Sequence, residues 1–237
     1  MIGLASGSWA QVVANHPAVE HLTIVEINPG YLELIPRYPQ VASPLENPKV
    51  RIVIDDGRRW LRRDPDQKFD LIVMNTTFHW RAHASNLLSV EFLQLVGEHL
   101  QPGGILFYNT TGSGRVQLTG TTLFPYGLRI INFLAVSKSP IRADEDRFRK
   151  TLLQYRIDGR PVADFNSPAH RQRLQEILAL AHPGTVSDTE QFLSSEYAET
   201  IRQRYAKLRL ITDDNMGTEW DEPGGPEKEG RDANRGN

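Results

Sequence analysis

Residues 1–27 read MIGLASGSWAQVVANHPAVEHLTIVEI, and the order of features in this stretch decides the fold class. An apolar run over 1–5 passes into a loop of small residues. A helical pattern over 8–16 follows, and Pro17 closes its neighbourhood. A second apolar run, 21–27, is rich in β-branched residues and reads as a buried strand. Strand, glycine turn, helix, strand is the unit from which parallel sheets are assembled, because parallel neighbours need a long crossover.

The alternation continues downstream. A short helix is predicted over 29–38, a strand over 50–54, a short helix over 57–63 and a strand over 68–74. Ser89 can cap a helix that runs to about His99, with Phe92, Leu93, Val96 and Leu100 on one face. Pro102, Gly103 and Gly104 are expected to stop it, and 105–110 reads as strand five. This rhythm predicts an α/β protein, a doubly wound and mostly parallel sheet covered by helices on both faces. Residues 124–140 then read as an antiparallel hairpin at the sheet edge, turning around Ile131 and Asn132. From 143 onward the chain is expected to be helical. Ser167 with Pro168 opens one helix, whose buried stripe is Leu174, Ile177, Leu178 and Ala181. Ser187 with Glu190 forms a capping box for another. Residues 221–237 hold one alanine and no larger apolar residue, so they are expected to be disordered. The expected organisation is a Rossmann-like core over 1–140, a helical extension packed on it over 141–220, and the tail 221–237.

Composition narrows the function. The 237 residues carry a net charge of −2 and no basic stripe with interleaved aromatics, so nucleic acid is not an expected partner. Cysteine is absent, which excludes disulfides, thiolate metal sites and cysteine nucleophiles. There is no signal-peptide pattern and no apolar run near the roughly 18 residues of a spanning helix. The expectation is a cytoplasmic chain that does not itself span a membrane. It starts inside an apparent strand, so it is expected to be part of a longer protein or to start at an internal codon.

In a doubly wound sheet, ligands bind beyond the carboxyl ends of the strands. Three loops there carry signals. The first, GLASGS, offers Gly3, Ala5, Ser6 and Gly7, small residues that let a ligand approach the backbone and the start of a helix. It lacks the full spacing of a dinucleotide fingerprint. The second is Glu26, at the end of strand two and 19 residues after Gly7, where a carboxylate can accept both hydroxyls of a ribose. The third is Asp55, Asp56 and Gly57, after strand three, where a carboxylate can accept an adenine amino group. Without a phosphate-binding lysine motif, an adenosyl group without phosphates fits better than ATP.

Four stretches resemble the spermidine synthase family, the polyamine aminopropyltransferases: IGLASGSWAQVVANHPAVEHLTIVEINPGYLEL, NPKVRIVIDDGRRWL, FDLIVMNTTFHW and LQPGGILFYNT. The resemblance covers roughly residues 2–140, and LITDDNMGTEW near the C-terminus resembles a closing segment of spermidine-synthase-like proteins, some of them fused behind membrane spans. It implies the class I methyltransferase fold and decarboxylated S-adenosylmethionine as ligand, with methylthioadenosine as the product-like form. It also implies Glu26 on the ribose, Ile27 beside the adenine and Asp56 on the adenine amino group. Two departures stand out. The family's N-terminal β domain, which helps bind the amine, is not expected in this chain. The acidic loop after strand four, Asp-Ser-Ser-Asp or similar in the family, here has Asn75 and Phe78 in place of the two acids.

Aminopropyl transfer needs a neutral amine, so something must accept its proton. Asn75 can only hydrogen-bond. His79, which titrates near neutrality, is a candidate base, and Asp213 with Asp214 is a candidate pair if the C-terminal segment folds back over the strand ends. His79 and His83 lie four apart but lack a third ligand, so no metal is expected. The leading expectation is a transferase domain binding S-adenosylmethionine or its decarboxylated form, moving an aminopropyl or methyl group to a small-molecule acceptor of the amine class. A homodimer is compatible with it. The competing expectations are a non-catalytic adenosyl-binding module of a larger, membrane-attached protein, and a nicotinamide-dependent dehydrogenase, against which the incomplete glycine pattern counts.

Overall fold

In the computed structural model the described residues are 1–75, 79, 82–182 and 194–215. The expectations for Thr76, Thr77, Phe78, the capping box at Ser187 and Glu190, and the tail 221–237 therefore lie outside the described residues. The elements in chain order are α1 (Ser8–Asn15), β1 (Leu22–Glu26), α2 (Gly30–Leu34), β2 (Val50–Ile54), α3 (Gly57–Arg63), β3 (Phe69–Met74), α4 (Val90–Glu98), β4 (Leu100–Asn109) and α5 (Gly114–Leu123). They continue with β5 (Tyr126–Ile130), β6 (Phe133–Ser137), α6 (Glu145–Gln154), β7 (Arg156–Ile157), β8 (Arg160–Pro161), α7 (Pro168–Ala179), β9 (Ser195–Tyr197) and α8 (Ala198–Arg204).

The first apolar run does not form a full strand. Only Ile2 makes bridges, parallel ones to Val25 and Met74. The Ile2 amide donates to the Val73 carbonyl and the Gly3 amide to that of Val25, each at 2.8 Å. Positive φ at Gly3 (89°) and Ala5 (46°) then takes the chain out of the extended region, so the expected strand 1–5 contracts to this bridge. The bridge still joins the β1–β2 pair to the strands β3-β4-β6-β5-β9 in one sheet. The chain runs from this central segment outward through β1 and β2, all parallel, then crosses to β3 and β4 on the other side. The order reverses between the central segment and β3, which makes that point the crevice of the sheet. The doubly wound, mostly parallel architecture with an antiparallel hairpin is therefore as the sequence predicts.

Three details differ. β6 pairs antiparallel with β4 on one side and β5 on the other, and β9 pairs with β5. The hairpin, which turns through Ile131 at a φ of 56°, is thus not the edge; three-residue β9 is, and its shortness hid it from any periodicity. Pro102–Gly104 do not lie between elements. They sit inside β4, where the register jumps from Phe69 opposite Leu100 to Leu71 opposite Ile105. The stretch GRVQLTGTTL, to which the sequence reading assigns no element, is α5. Ser113 caps it by accepting from the Val116 amide (3.3 Å), and Thr119 and Thr121 return their hydroxyls to carbonyls one turn back.

Two cores cover the sheet. On one face Ile72, Met74, Leu106, Tyr108, Leu134 and Val136 meet Phe92, Leu93 and Val96 of α4, Val116 of α5 and Ile201 of α8. On the other, Leu4, Leu22 and Ile24 meet Ala10 and Ala14 of α1 and Ile35. Ser89 caps α4 as expected (3.2 Å to the Phe92 amide). Pro168 begins α7, and Leu174 and Leu178 are buried, although Ser167 makes no side-chain cap bond. The 156–161 hairpin docks on α1 through Asp158, which accepts from Gln11 Nε2 at 2.8 Å and from Asn15 Nδ2 at 3.3 Å. Among the described residues no helix is long and apolar enough to cross a membrane.

Candidate functional site

A cleft of about 930 Å³ opens at the crevice of the sheet, walled by the central segment, the ends of β1 and β3, the start of α3, and Asp213 from the C-terminal segment. Its first wall is the glycine loop. Gly7 has a φ of 83°, and a Cβ there would stand 2.8 Å from the Val41 carbonyl, so only glycine fits. Glu26 fixes the loop from below. Its Oε2 accepts from the Leu4 amide at 2.6 Å and the Ala5 amide at 3.3 Å, and its Oε1 from the Asn28 amide at 2.8 Å. Three of the roughly four acceptor positions of the carboxylate are engaged, which leaves about one toward the cleft. Beside it Ile27 is 68% exposed, an isoleucine standing in the mouth of the cleft.

The second wall is the Asp-Asp-Gly turn. Its two aspartates have different surroundings. Asp56 caps α3, accepting from the Arg59 amide at 2.8 Å, and lines the cleft. Asp55 is buried and does not line it. Its carboxylate is held by Arg59 Nε (2.7 Å) and by Arg63, and the hydrogen bond from Arg59 keeps its pKa below the ordinary value. Gly57 lets Ile2 cross closely, because a Cβ there would lie 2.8 Å from the Ile2 side chain.

The third wall joins the ends of β3 and β4. Asn75 Oδ1 accepts from Asn109 Nδ2 at 3.1 Å, and Asn109 Oδ1 accepts from the Thr111 amide at 2.8 Å. Thr111 Oγ1 in turn makes a short hydrogen bond with His79 Nδ1. The Thr111 hydroxyl donates to the Thr110 carbonyl (2.8 Å), which assigns the proton in the His79 bond to Nδ1 and the basic lone pair to Nε2. Asn75 lines the cleft, and His79 is joined to it through this relay.

The C-terminal segment does fold back. Ile211 is buried, accepts from the Val90 amide (2.8 Å) and donates to Thr119 Oγ1 (3.0 Å). This anchors Asp213 at the cleft rim, where Arg58 grips its carboxylate with both terminal nitrogens, at 2.8 and 2.5 Å, and Ser89 Oγ donates at 2.6 Å. The Arg58 hydrogen bond holds the Asp213 carboxyl below its ordinary pKa of 3.8. A carboxylate so held is a poor proton acceptor, so Asp213 is a structural latch by geometry. Asp214, Ser6 and Gly7 do not line the cleft. Sequence reasoning missed Arg58, Arg62 and Leu87, which line it, and weighed His83, which also lines it, only as a metal ligand. Arg58 and Arg62 belong to a run of four arginines whose spacing does not tell one face from another.

Residues 1–118 match the family model for the spermine/spermidine synthase domain.
The chain is spermidine-synthase-like.
It is 33% identical over 109 residues to a polyamine aminopropyltransferase of Agathobacter rectalis, covering 46% of this chain and 38% of that protein. It is 34% identical over 107 residues to that of Pectobacterium carotovorum, covering 44% and 37%. The spermidine-synthase-like chain thus spans well under half the length of these curated relatives. Among solved structures, a spermidine synthase from Thermotoga maritima superposes with a TM-score of 0.55 at 22% identity, over 74% of this chain and 67% of that one. Another spermidine synthase, solved with the transition-state analogue AdoDATO, gives 0.53 at 22% identity, over 74% and 66%. At that identity the likeness concerns the fold.

Proposed function

We propose that this spermidine-synthase-like chain binds an S-adenosylmethionine-type sulfonium in the cleft and transfers one of its alkyl groups to a small nucleophile. The observation that carries the reading is the convergence of the glycine loop, Glu26, Ile27 and the Asp56–Gly57 turn on one cleft at the crevice of the sheet. Glu26 takes a ribose hydroxyl, Asp56 takes the adenine amino group, and Ile27 with Leu87 covers the ring. An isoleucine 68% exposed in a cleft mouth is accounted for by a flat ligand lying on it.

The sulfonium then points toward Asn75. The nucleophile attacks a carbon bonded to sulfur, that carbon–sulfur bond breaks, and its electron pair stays on sulfur as a neutral thioether. The nucleophile's proton leaves to solvent or toward His79, which Thr111 orients. Asn75 cannot take it, so the family's acidic acceptor loop is altered here and polyamine transfer is disfavoured. The same substitution favours a second reading, an adenosyl-binding module without catalysis.

The test is titration of the chain with methylthioadenosine by calorimetry. Binding is expected, and Glu26→Gln should weaken it about tenfold or more, since a hydrogen bond to a charged group contributes about 1.5–3 kcal/mol. Asp56→Asn, which keeps a side-chain oxygen to cap α3, should weaken it as well. Unchanged affinity in both variants would remove the adenosyl placement.

A further inference from the structure

Two cleft-lining loops meet the base on the adenosyl reading: the Asp56–Gly57 turn ahead of α3 and the Asn86–Leu87 stretch ahead of α4. All of α3 and β3 lie between these loops in the chain, so their spacing depends on tertiary contacts. One such contact is a clasp. Arg58, the residue after Gly57, holds the Asp213 carboxylate with Nη1 at 2.8 Å and Nη2 at 2.5 Å, and its Nη1 lies 3.5 Å from the Asn86 carbonyl oxygen. Asp213 belongs to neither loop. Its carboxylate also accepts from Ser89 Oγ, the cap of α4, at 2.6 Å, and its amide donates to Glu91 Oε2 in the first turn of that helix at 3.0 Å. One residue thereby ties the start of α3 to the start of α4. The segment that carries it is also seated by other bonds. Ile211 is buried and bonded to Val90 and Thr119, and Asn215 closes a turn by accepting from the Thr212 amide (3.1 Å) and donating to the Leu210 carbonyl (2.8 Å). The Arg58 side chain is 13% exposed, and a guanidinium so withdrawn from water needs a counter-charge. Its Nε has no hydrogen-bond partner among the described residues, so the bonds to Asp213 are the strong ones it makes.

We propose that Arg58 and Asp213 are positioning residues for the base: their clasp sets the gap between Asp56, which takes the amino edge, and Leu87, which covers the ring, and ligand binding and clasp closure strengthen each other. This rests on the adenosyl reading of the cleft and deepens it. A ring gains from two walls at once only if the gap fits it. With the clasp open, the loop that carries Leu87 must be ordered against the Asp56 turn at the moment of binding, and that ordering is subtracted from the affinity. The coupling is reciprocal. Whatever factor the closed clasp adds to the affinity, the bound ligand adds to the closure of the clasp.

The experiment pairs calorimetry with methylthioadenosine and backbone hydrogen exchange of the full chain with and without that ligand. Asp213→Ala and Arg58→Ala should each weaken binding about three- to tenfold. The double variant should weaken it no further than the single ones, because both open the same clasp. Asp213→Glu, which keeps a carboxylate for Arg58, should recover part of the loss. In the unmodified chain, saturating methylthioadenosine should slow exchange of the Ile211 and Asp213 amides, which donate to Thr119 and Glu91, and Asp213→Ala should abolish that protection. A merely structural role would lower the melting temperature and leave both the affinity of the folded chain and the ligand-dependent protection unmoved. Unchanged affinity in both single variants overturns the proposal while leaving the adenosyl reading intact. Exchange at these amides that bound ligand does not alter does the same, and that measurement needs no variant to fold. If the unmodified chain does not bind methylthioadenosine, the adenosyl reading itself falls and this proposal with it.

Discussion

Gly120 illustrates how a single residue sets the packing under the site. It lies on α5 against Tyr108, and an added Cβ would stand 2.0 Å from the Tyr108 hydroxyl oxygen. Tyr108 is fully buried, its hydroxyl donating to the Val116 carbonyl at 3.3 Å, and burial raises its pKa above the ordinary 10.0. Gly120→Ala should therefore destabilise by about 3 kcal/mol, because a close-packed core has no room to give. Adding Tyr108→Phe, which removes the oxygen in the way, should recover part of that loss. Urea melts of the single and double variants check it, and equal stability of Gly120→Ala would contradict the packing. The same scale shows what a sequence reveals. Glu26 was legible as the acid at a strand end, and it does line the cleft; Gly7 was legible as a tight-turn glycine, but it packs against Val41 and does not line the cleft. The division of labour between Asp55 and Asp56 was not. It depends on Arg59 and Arg63, four and eight residues beyond Asp55, reaching back along α3 to take one carboxylate and leave the other.

Among the elements, α5 and the C-terminal segment were the hardest to read, for opposite reasons. Threonine and glycine are weak helix formers, so propensity argued against α5, and tertiary burial overrode it. The segment 209–215 has too few apolar residues to announce that it packs, yet Ile211 pins it between α4 and α5. The strands β1 to β4 were legible because β-branched runs bounded by turn residues leave few alternatives. Where the latch closes, a variant can weigh it. Asp213→Asn removes the charge that faces Arg58, whose side chain is 13% exposed against 36% for Asp213. Solvent screens the carboxylate, so the expected loss is only about 1 kcal/mol. Its pH dependence follows from the lowered pKa of Asp213. The folded protein releases this proton more readily than the unfolded chain, so the stabilisation is full above 3.8 and lost as the pH falls through the lower folded value. Wild-type and variant melting curves should therefore differ at neutral pH and converge in strong acid. A difference that persists unchanged in acid would mean that the charge is not what holds the segment.

At the scale of the whole molecule, the sheet brings together two halves of a site with different degrees of likeness to the spermidine synthase family. The proposed adenosyl half, from the glycine loop to the Asp56–Gly57 turn, lies within the matched residues, and Glu26 and Asp56 stand where the resemblance assigns acids. In the proposed acceptor half, the sequences after β3 and β4, NTTFHW and NTTGSGR, hold no carboxylate. A polyamine arrives as a multiply charged cation, and one of its amines must be neutral to attack. The family resemblance assigns one carboxylate to that proton and another to the remaining ammonium; at those positions this chain has Asn75 and Phe78. Losing a positioned base costs roughly 10²–10⁴-fold in rate. Losing the ammonium partner weakens acceptor binding further, because the ring of Phe78 could return only a cation–π contact of about 0.5–2 kcal/mol. The expected outcome is that decarboxylated S-adenosylmethionine and putrescine yield little or no spermidine with the chain as given. Asn75→Asp combined with Phe78→Asp should raise the yield measurably, because both carboxylates that the family resemblance assigns to this loop are restored. Product formation followed by chromatography decides it. Robust turnover by the unmodified chain would show that another group, with His79 foremost, already takes the amine's proton, and the idea of an altered acceptor loop would have to be abandoned.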